Sequence, residues 1–165
     1  GTTNQITGHM AFDPKHPDSG HAAFTVSVAS LNTGIPMRDE HLQGADWLDA
    51  TSYPEIKLVI DKVKSATKVK SSDTSATFDI VVAGVFSLRG KDKRIEFPAK
   101  ITYLKETEQT QKRLPGDLLA ARATFEVSLK DFGITGPAGA GIIGSKVGES
   151  IKVEVSVMGS TGSTP

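Results

Sequence analysis

Segments in which every second residue is apolar recur along this chain, and they restrict it to a fold built from β-strands. In AAFTVSVASL, Phe24, Val26 and Val28 alternate with the polar Thr25 and Ser27. Because successive side chains of a strand point to opposite faces, this pattern predicts a strand with one buried face. Similar alternation predicts six further strands, in QITGHMAFD, EIKLVIDKVK, SATFDIVVAGVFSLRG, KRIEFPAKITYL, LLAARATFEVSLK and ESIKVEVSV.

The connections between these segments predict that neighbouring strands are antiparallel. The segments 13–20, 70–75, 90–93 and 107–117 carry the Pro, Gly, Asp and Ser that favour turns. Parallel pairs would need helical crossovers, for which the sequence has no pattern. Long strands favour a barrel over a compact sandwich. We therefore predict an all-β fold, an antiparallel up-and-down β-barrel forming one domain over residues 1–158, with a flexible tail at 159–165.

Two segments depart from simple alternation. SATFDIVVAGVFSLRG is apolar on both faces, which predicts the most buried strand or one that bends at Gly84. GITGPAGAGIIGSKVG (133–148) is rich in glycine, but it has neither the strand-then-helix context nor the Lys-Ser or Lys-Thr ending of a phosphate-binding loop. We interpret 133–148 as a flexible loop.

Composition excludes several classes of function. The chain has 19 Lys and Arg against 19 Asp and Glu, so no overall charge attracts it to nucleic acid or to an anionic membrane. It has no cysteine, which excludes disulfides, thiol catalysis and cysteine-based zinc sites. No apolar run approaches the roughly 20 residues that a membrane-spanning helix needs. We predict a protein with no nucleic-acid partner and no membrane span.

One charged run, MRDEHLQGADWLDATSYPEI (37–56), contains the only tryptophan of the chain. From Met37 to Leu48 the apolar spacing predicts a helix across one end of the barrel, or two short turns because Gly44 weakens a helix. Asn32 or Thr33 is predicted to cap this helix, and Pro36 suits its first turn. The apolar face is predicted to contain Met37, His41, Leu42, Ala45 and Leu48.

The same run gathers residue types that are common in catalytic and metal sites. A metal would need further converging ligands beside His41, and a hydrolase would need a positioned nucleophile, but the sequence has neither HExxH nor GxSxG. We interpret His41 as hydrogen-bonded support for the helix, and Arg38 as an ion-pair partner of Asp39 or Asp46. The chain is predicted to have no catalytic residues and no native metal site, although a weak adventitious metal site is conceivable at His9, His16 and His21.

The order and spacing of residues in LNTGIPMRDEHLQGADWLDATSYPEIKL resemble the signature of the YceI-like family of polyisoprenoid-binding proteins. The matching positions are Thr33, Gly34, Arg38, Asp39, His41, Leu42, Ala45, Asp46, Trp47, Leu48, Asp49, Tyr53 and Pro54. GVFSLRGKDKRIEFPAKI and ATFEVSLKDFGI resemble two further segments of the family, so the resemblance covers nearly all of residues 5–157. Arg89 stands where the family often has His, and Lys130 where it often has Arg.

The resemblance implies a lipocalin-like barrel in the bacterial periplasm or secreted space, binding an isoprenoid quinone, a polyprenyl lipid or a fatty-acyl lipid as a carrier. Family members place one more strand before the segment that here is GHMAFDP, so the resemblance implies that the first strand of an eight-stranded barrel is missing. A barrel without that strand has an open edge, which favours pairing with another chain. No cofactor is implied beyond a bound isoprenoid or fatty-acyl lipid.

Residues on the inward faces of the strands are the candidates for contact with such a ligand, because alternation aims every second side chain into a barrel. Trp47 and Phe132 are further candidates, as aromatic residues that close the mouth, and ordinary core packing is the alternative for both. Lys91, Lys93 and Arg94 are interpreted as solvated turn charges in preference to contacts with a phosphate head group. The predicted ligand-binding residues are Phe24, Val26, Trp47, Phe78, Ile80, Phe86, Phe97, Ile101, Phe125, Val127 and Phe132.

Two alternatives to a lipid carrier remain open at this point. In one, the barrel is filled and the protein is a structural or interaction module of the cell envelope, which docks a partner chain or a second copy through its open edge. In the other it is an enzyme acting on a lipid, but the inward faces carry almost no polar residues. We predict that the protein is not an enzyme.

Overall fold

In the part of the chain that the structure describes, seven strands form one antiparallel sheet in which every strand pairs with the next along the chain. A computed structural model describes residues 1–162. The strand order β1-β2-β3-β4-β5-β6-β7 is that of an up-and-down meander, as predicted. The strands are β1 (Ile6–Asp13), β2 (His16–Ser27), β3 (Glu55–Ser71), β4 (Ser75–Leu88), β5 (Lys91–Leu104), β6 (Leu118–Ser128) and β7 (Ser150–Ser160).

The sheet curls into an incomplete barrel. Within residues 1–162, β1 pairs only with β2 and β7 only with β6, so both strands have one unpaired edge. The two edges approach each other at one end, where a Cβ added to Gly159 would lie 3.4 Å from the terminal methyl of Met10. The predicted all-β, antiparallel, up-and-down architecture is confirmed, with an opening between β1 and β7.

Strand β4 forms the centre of the core, which confirms the interpretation of its apolar sequence. Its inward residues Phe78, Ile80 and Phe86 are buried, and Ala83 on the opposite face is buried as well. At Gly84 the backbones of β3 and β4 come so close that a Cβ would lie 2.0 Å from the carbonyl oxygen of Val59. The register of β3 against β4 shifts beside this contact, where Asp61 of β3 is the extra residue of a β-bulge, and the predicted bend of β4 stays a prediction.

The ladder between β5 and β6 is incomplete. It runs from Ala99 opposite Ala123 to Leu104 opposite Leu118, and residues 91–98 of β5 have no partner in β6. Pro98 stands where pairing stops, and proline has no N–H to contribute to a ladder. On the inner side the rings of Phe97 and Phe125 stack at 4.6 Å. We call the gap between residues 91–98 and 124–128 the β5–β6 fissure.

Several turns differ from the predictions. Pro14 and Lys15 alone connect β1 to β2, so residues 16–20 of the predicted turn belong to β2. The connection at 107–117 contains a short helix, α2 (Glu108–Gln111), whose first turn is closed by reciprocal hydrogen bonds between Thr107 and Thr110. The predicted tail also begins too early, because Gly159 and Ser160 are paired in β7. Residues 163–165 of that tail lie outside the described residues.

The predicted helix at one end of the barrel is shorter than expected. Helix α1 spans Pro36–Gln43 and ends at Gly44, in agreement with the alternative of a break there. Its predicted apolar face is wrong in part, because Met37 is 67% exposed and His41 is exposed too. Leu42 and Leu48 alone among the long apolar residues of this face pack against the core. The inward contacts come mainly from the turn after the helix.

Two 3-10 helices complete this end. They are Val28–Ser30, directly after β2, and Leu129–Phe132, directly after β6. Phe132 is 1% exposed, and its ring meets that of Phe86 edge-on at 5.6 Å. Ile134 is also 1% exposed, so the second residue of the glycine-rich segment that was predicted to be a flexible loop belongs to the core. The end near α1 is therefore filled with side chains.

Candidate ligand cavity

An apolar cavity lies in the half of the barrel away from α1. Its volume is about 70 Å³, and all seven strands contribute to its wall. Alternation brings inward residues of neighbouring strands together here, such as Leu58 of β3, Val82 of β4 and Ile101 of β5. Nearly the whole wall is apolar, so the cavity suits a hydrocarbon chain and offers few groups for a polar solute.

The space exists because small residues occupy inward positions. Ala99 lies opposite Ala123, and Ile101 lies opposite Ala121. Ala22 of β2 also lines the cavity. In the other half of the barrel, the ring of Phe86 packs edge-on against the rings of Phe125 and Phe132. The alternation of small and large inward residues thus decides which half of the barrel stays open.

Four of the eleven predicted ligand-binding residues line this cavity, namely Phe24, Ile80, Phe97 and Ile101. The others do not line it, because most pack in the filled half of the barrel. Phe86 meets Phe125 edge-on at 5.5 Å there. Phe78 packs against Phe12 at 5.2 Å, with its ring beside the cavity wall. The seven residues outside the cavity wall are Val26, Trp47, Phe78, Phe86, Phe125, Val127 and Phe132.

Trp47 and Phe132 lie at the filled end. Trp47 is half-buried against the core, and a Cβ on Gly136 would lie 3.3 Å from its ring. The tryptophan therefore packs beneath the 133–148 segment. Both aromatic residues were predicted to close a mouth of the barrel, and both are packed at its end, as in the core-packing alternative.

The cavity wall also contains residues that the sequence analysis did not single out as ligand contacts. Met10 and Phe12 come from β1, Leu119 from β6, and Val155 and Val157 from β7. The alternation of these strands placed most of them inward, but nothing in the sequence distinguished the open half of the barrel from the filled half. Separating the two halves requires the register of every ladder.

The charged residues of the 32–49 region serve the local structure. Asp39 accepts hydrogen bonds from the Thr33 hydroxyl (2.6 Å) and backbone N–H (2.8 Å). The hydroxyl bond is the main reason that the pKa of Asp39 is lowered. The predicted caps are wrong: the helix begins after Ile35 without a side-chain cap. Arg38 forms no ion pair and His41 no side-chain hydrogen bond within residues 1–162, so both interpretations are corrected.

Arg89 ties three segments together at the filled end. Its guanidinium donates to the carbonyl of Gly133 at 2.8 Å and to the carbonyl of Ala45 at 2.7 Å. Its Nε atom is buried and has no hydrogen-bond partner among the described residues. Arg89 also adopts φ +50°, an uncommon conformation for a residue with a side chain. These contacts connect the β4–β5 turn to the segments that follow α1 and β6.

The basic residues of the β4–β5 hairpin mostly face carboxylates. Lys93 lies 3.6 Å from Asp131. Arg94 makes two bonds to Asp61, at 2.9 and 3.0 Å, across β4. These pairs agree with the interpretation of Lys93 and Arg94 as turn and surface charges. They are exposed, so each contributes little to stability.

The opposite end of the barrel carries a coupled tyrosine and aspartate. The Tyr103 hydroxyl donates a hydrogen bond to the carboxylate of Asp117, which also accepts from the backbone N–H of Glu106 at 2.8 Å. The bond from Tyr103 is the main reason that the pKa of Asp117 is lowered, and it also raises the pKa of Tyr103. This pair holds the β5–β6 connection closed around α2.

No described part of the chain carries an arrangement for metal chemistry. Within residues 1–162, no three His, Asp or Glu residues are grouped so that they can hold a metal ion. The rings of His9 and His21 are 6.2 Å apart, without a third histidine beside them. The described helices are also too short and too polar to cross a membrane.

Comparison with known proteins agrees with the architecture. The model of the YceI-like domain matches residues 1–158. A UPF0312 protein of Pseudomonas putida (strain W619) is 33% identical over 137 residues, which are 83% of this chain and 64% of that protein. Protein YceI of Shigella flexneri is 29% identical over 141 residues, covering 84% of this chain and 66% of that protein. The chain thus spans about two thirds of the length of these relatives.

Solved structures share the fold at lower sequence identity. A YCEI protein of Campylobacter jejuni aligns with a TM-score of 0.72 and 19% identity, over 98% of this chain and 84% of its own. BcnA of Burkholderia cenocepacia aligns with a TM-score of 0.71 and 18% identity, over 94% of this chain and 84% of its own. At these identities the similarity concerns the fold alone.

Proposed function

The chain belongs to the YceI-like family, and from this membership and its apolar cavity we propose that it binds a long apolar ligand as a carrier. The ligand class is an isoprenoid quinone, a polyprenyl lipid or a fatty-acyl lipid. The observation that carries the proposal is the apolar wall of the cavity, to which inward residues of all seven strands contribute. No catalytic step and no cofactor other than the lipid are part of this function.

The size of the cavity specifies how the ligand lies. Ligand pockets usually enclose roughly 300–1,000 Å³, whereas this cavity encloses about 70 Å³. The cavity therefore accommodates only a segment of a long chain. Val155 and Val157 of β7 line it and are half-buried, because the free edge of β7 has no partner strand within residues 1–162. We propose that the rest of the ligand lies along the opening between β1 and β7.

The direct test is mass spectrometry of an organic extract from natively purified protein, followed by titration with a polyprenyl alcohol. We expect a co-purifying lipid and saturable binding. Ala121→Phe places a ring in the cavity and is expected to weaken binding at least tenfold. Ala120→Phe, on the outer face of the same strand, serves as the matched control. Absence of lipid together with absence of binding refutes the carrier function.

A second candidate function is docking of a partner chain, and the unpaired edges of β1 and β7 favour it. Unpaired edges are templates for pairing with another strand. In this alternative the cavity stays closed and the protein is a structural module of the cell envelope, either as a homodimer or with another chain. Light scattering coupled to size-exclusion chromatography distinguishes the two, since a monomer that binds lipid contradicts the docking function.

We also propose that the protein acts in the periplasm or after secretion, where the carrier role would move a lipid between membranes. The resemblance to the family is the support for this location, and the absence of cysteine is compatible with it. Cell fractionation of the source bacterium with an antibody against the protein is the test. Recovery with the cytoplasmic fraction alone contradicts the proposed location.

A further inference from the structure

The outer face of the sheet carries a row of polar residues in register across five strands. Thr67 of β3 lies opposite Asp79 of β4, and Asp79 lies opposite Lys100 of β5. Lys100 in turn lies opposite Arg122 of β6, which lies opposite Ser156 of β7. Ala121 and Ala123 line the interior, so the residue between them is on the outer face.

Two cations stand directly opposite each other in this row. Like charges in such a cross-strand pair are destabilising. Asp79 is the only carboxylate in the row, and it lies 3.5 Å from Lys100. Arg122 has no ion pair and no side-chain hydrogen bond within residues 1–162. One positive charge of the row is therefore left uncompensated, although Arg94 and Lys64 on the same face each meet a carboxylate at 2.9 Å.

A groove of about 520 Å³ lies on the outer face along this row. It runs past Pro98, where the β5–β6 fissure begins. Three hydroxyl groups line it, those of Ser65, Thr67 and Thr124, and none has a hydrogen-bond partner among the described residues. Unused donors beside an unpaired guanidinium are suited to an oxyanion, because arginine matches phosphate and carboxylate in a two-pronged geometry.

The groove also adjoins the apolar cavity. Ile80, Ala99, Arg122 and Ala123 line both of them, so the two spaces lie on opposite sides of the sheet at the top of the fissure. The paired backbones of Ala99 and Ala123, the last pair of the β5–β6 ladder, separate the two spaces there. An anionic group in the groove and a hydrocarbon chain in the cavity would lie on opposite sides of this ladder, beside the end of the fissure.

We propose that this outer groove is a binding site for a phosphate or carboxylate group, held by Arg122 with support from Lys100 and the hydroxyl groups. The anion is either the head group of an amphiphilic ligand or a free anion. The first source rests on the proposed lipid-binding function, and the second does not. Binding neutralises the excess charge of the Lys100–Arg122 pair.

The test compares three probes on the full chain: geranylgeranyl phosphate, geranylgeraniol and inorganic phosphate. Calorimetry gives the affinities, and chemical-shift changes of the arginine side chains locate the anion. We expect the phosphate ester to bind about tenfold more tightly than the alcohol, as for one charge-assisted contact. Arg122→Gln is expected to remove this difference, and Arg113→Gln, which removes an exposed arginine on the β5–β6 connection, to preserve it.

The outcomes separate this site from the proposed function. If the ester and the alcohol bind with equal affinity, and inorganic phosphate does not change the side-chain chemical shifts of Arg122, the anion site is refuted while the carrier function stands. If neither prenyl compound binds but inorganic phosphate shifts Arg122, the groove is a site for a free anion and the carrier function is refuted. An ester preference that survives Arg122→Gln overturns the assignment of Arg122.

Discussion

Filling the cavity from its wall is expected to stabilise the protein. Ala121 lies in β6 between Ile101 and Val157, and all three residues line the cavity. Ala121→Val adds two methyl groups at an inward position, where each buried carbon contributes about 0.8 kcal/mol, or about 1.6 kcal/mol in total.

The control for this variant is Ala120→Val, one residue earlier in the same strand. Ala120 lies on the outer face opposite Thr102 and Met158, so its valine gains the strand preference of a branched side chain without entering the cavity. We expect Ala121→Val to exceed this control by about 1.6 kcal/mol in the free energy of unfolding, or roughly 3–6 °C in Tm.

Urea unfolding followed by circular dichroism measures both variants. Equal stabilisation by the two valines would refute the reasoning, because it would mean that the cavity is closed in solution. Destabilisation by Ala121→Val alone would refute it too, since it would mean that the wall cannot accept two methyl groups. A titration with geranylgeraniol on the same samples shows whether the stabilised variant has also lost affinity.

Three further perturbations test other parts of the fold. Phe132→Ala is expected to lower the free energy of unfolding by about 3–5 kcal/mol in urea titrations, since it empties the filled end of the barrel; a loss below 1 kcal/mol would contradict the packing. Gly84→Ala is expected to cost about 3 kcal/mol by the same measurement, because its Cβ would meet the β3 backbone; a neutral effect would contradict this close approach. The Tyr103–Asp117 bond predicts a pH dependence with two limits. The pKa of Asp117 is lowered from 3.8, so its stabilisation is present above that pH and is lost as the pH falls through the folded value. The pKa of Tyr103 is raised from 10.0, so its stabilisation is present below that pH and is lost as the pH rises through the folded value. The measurement is the urea midpoint of unfolding as a function of pH. In Tyr103→Phe this midpoint is expected to fall less at both the acidic and the alkaline limit. A pH profile equal to that of the unmodified protein would show that the Tyr103–Asp117 bond is not the cause.

Strand positions could be predicted from the sequence because alternation acts locally. Ile101 of β5, for example, stands between Lys100 and Thr102, and this local contrast identifies it as an inward residue. The ends of the strands were harder to predict. Polar, turn-like residues at 16–20 continue β2 because they pair with β1, and that pairing is invisible in either segment alone.

The sequence predicts that the interior of the barrel is apolar, but it does not predict which half of the barrel contains the cavity. Phe97 and Phe125 have the same character in sequence and their rings stack, yet only Phe97 lines the cavity. Which ring faces the open half depends on how β5 pairs with β6, and neither segment specifies that pairing alone. Met37 and His41 were predicted to lie on a buried face of α1, but both are exposed. Their spacing suits an apolar helix face, but α1 ends at Gly44 before that face can pack, and the turn carrying Leu48 makes the contact instead.

The number of strands has a consequence for the opening in the barrel. In a meander each strand reverses direction, so with an odd count the first and last strands, β1 and β7, point the same way. Direct pairing between them would create a parallel ladder, the less stable kind, in a sheet that is otherwise antiparallel. A single extended segment of opposite polarity would form an antiparallel ladder with each edge. The opening therefore discriminates by chain direction, and a reversed segment would form parallel ladders on both sides.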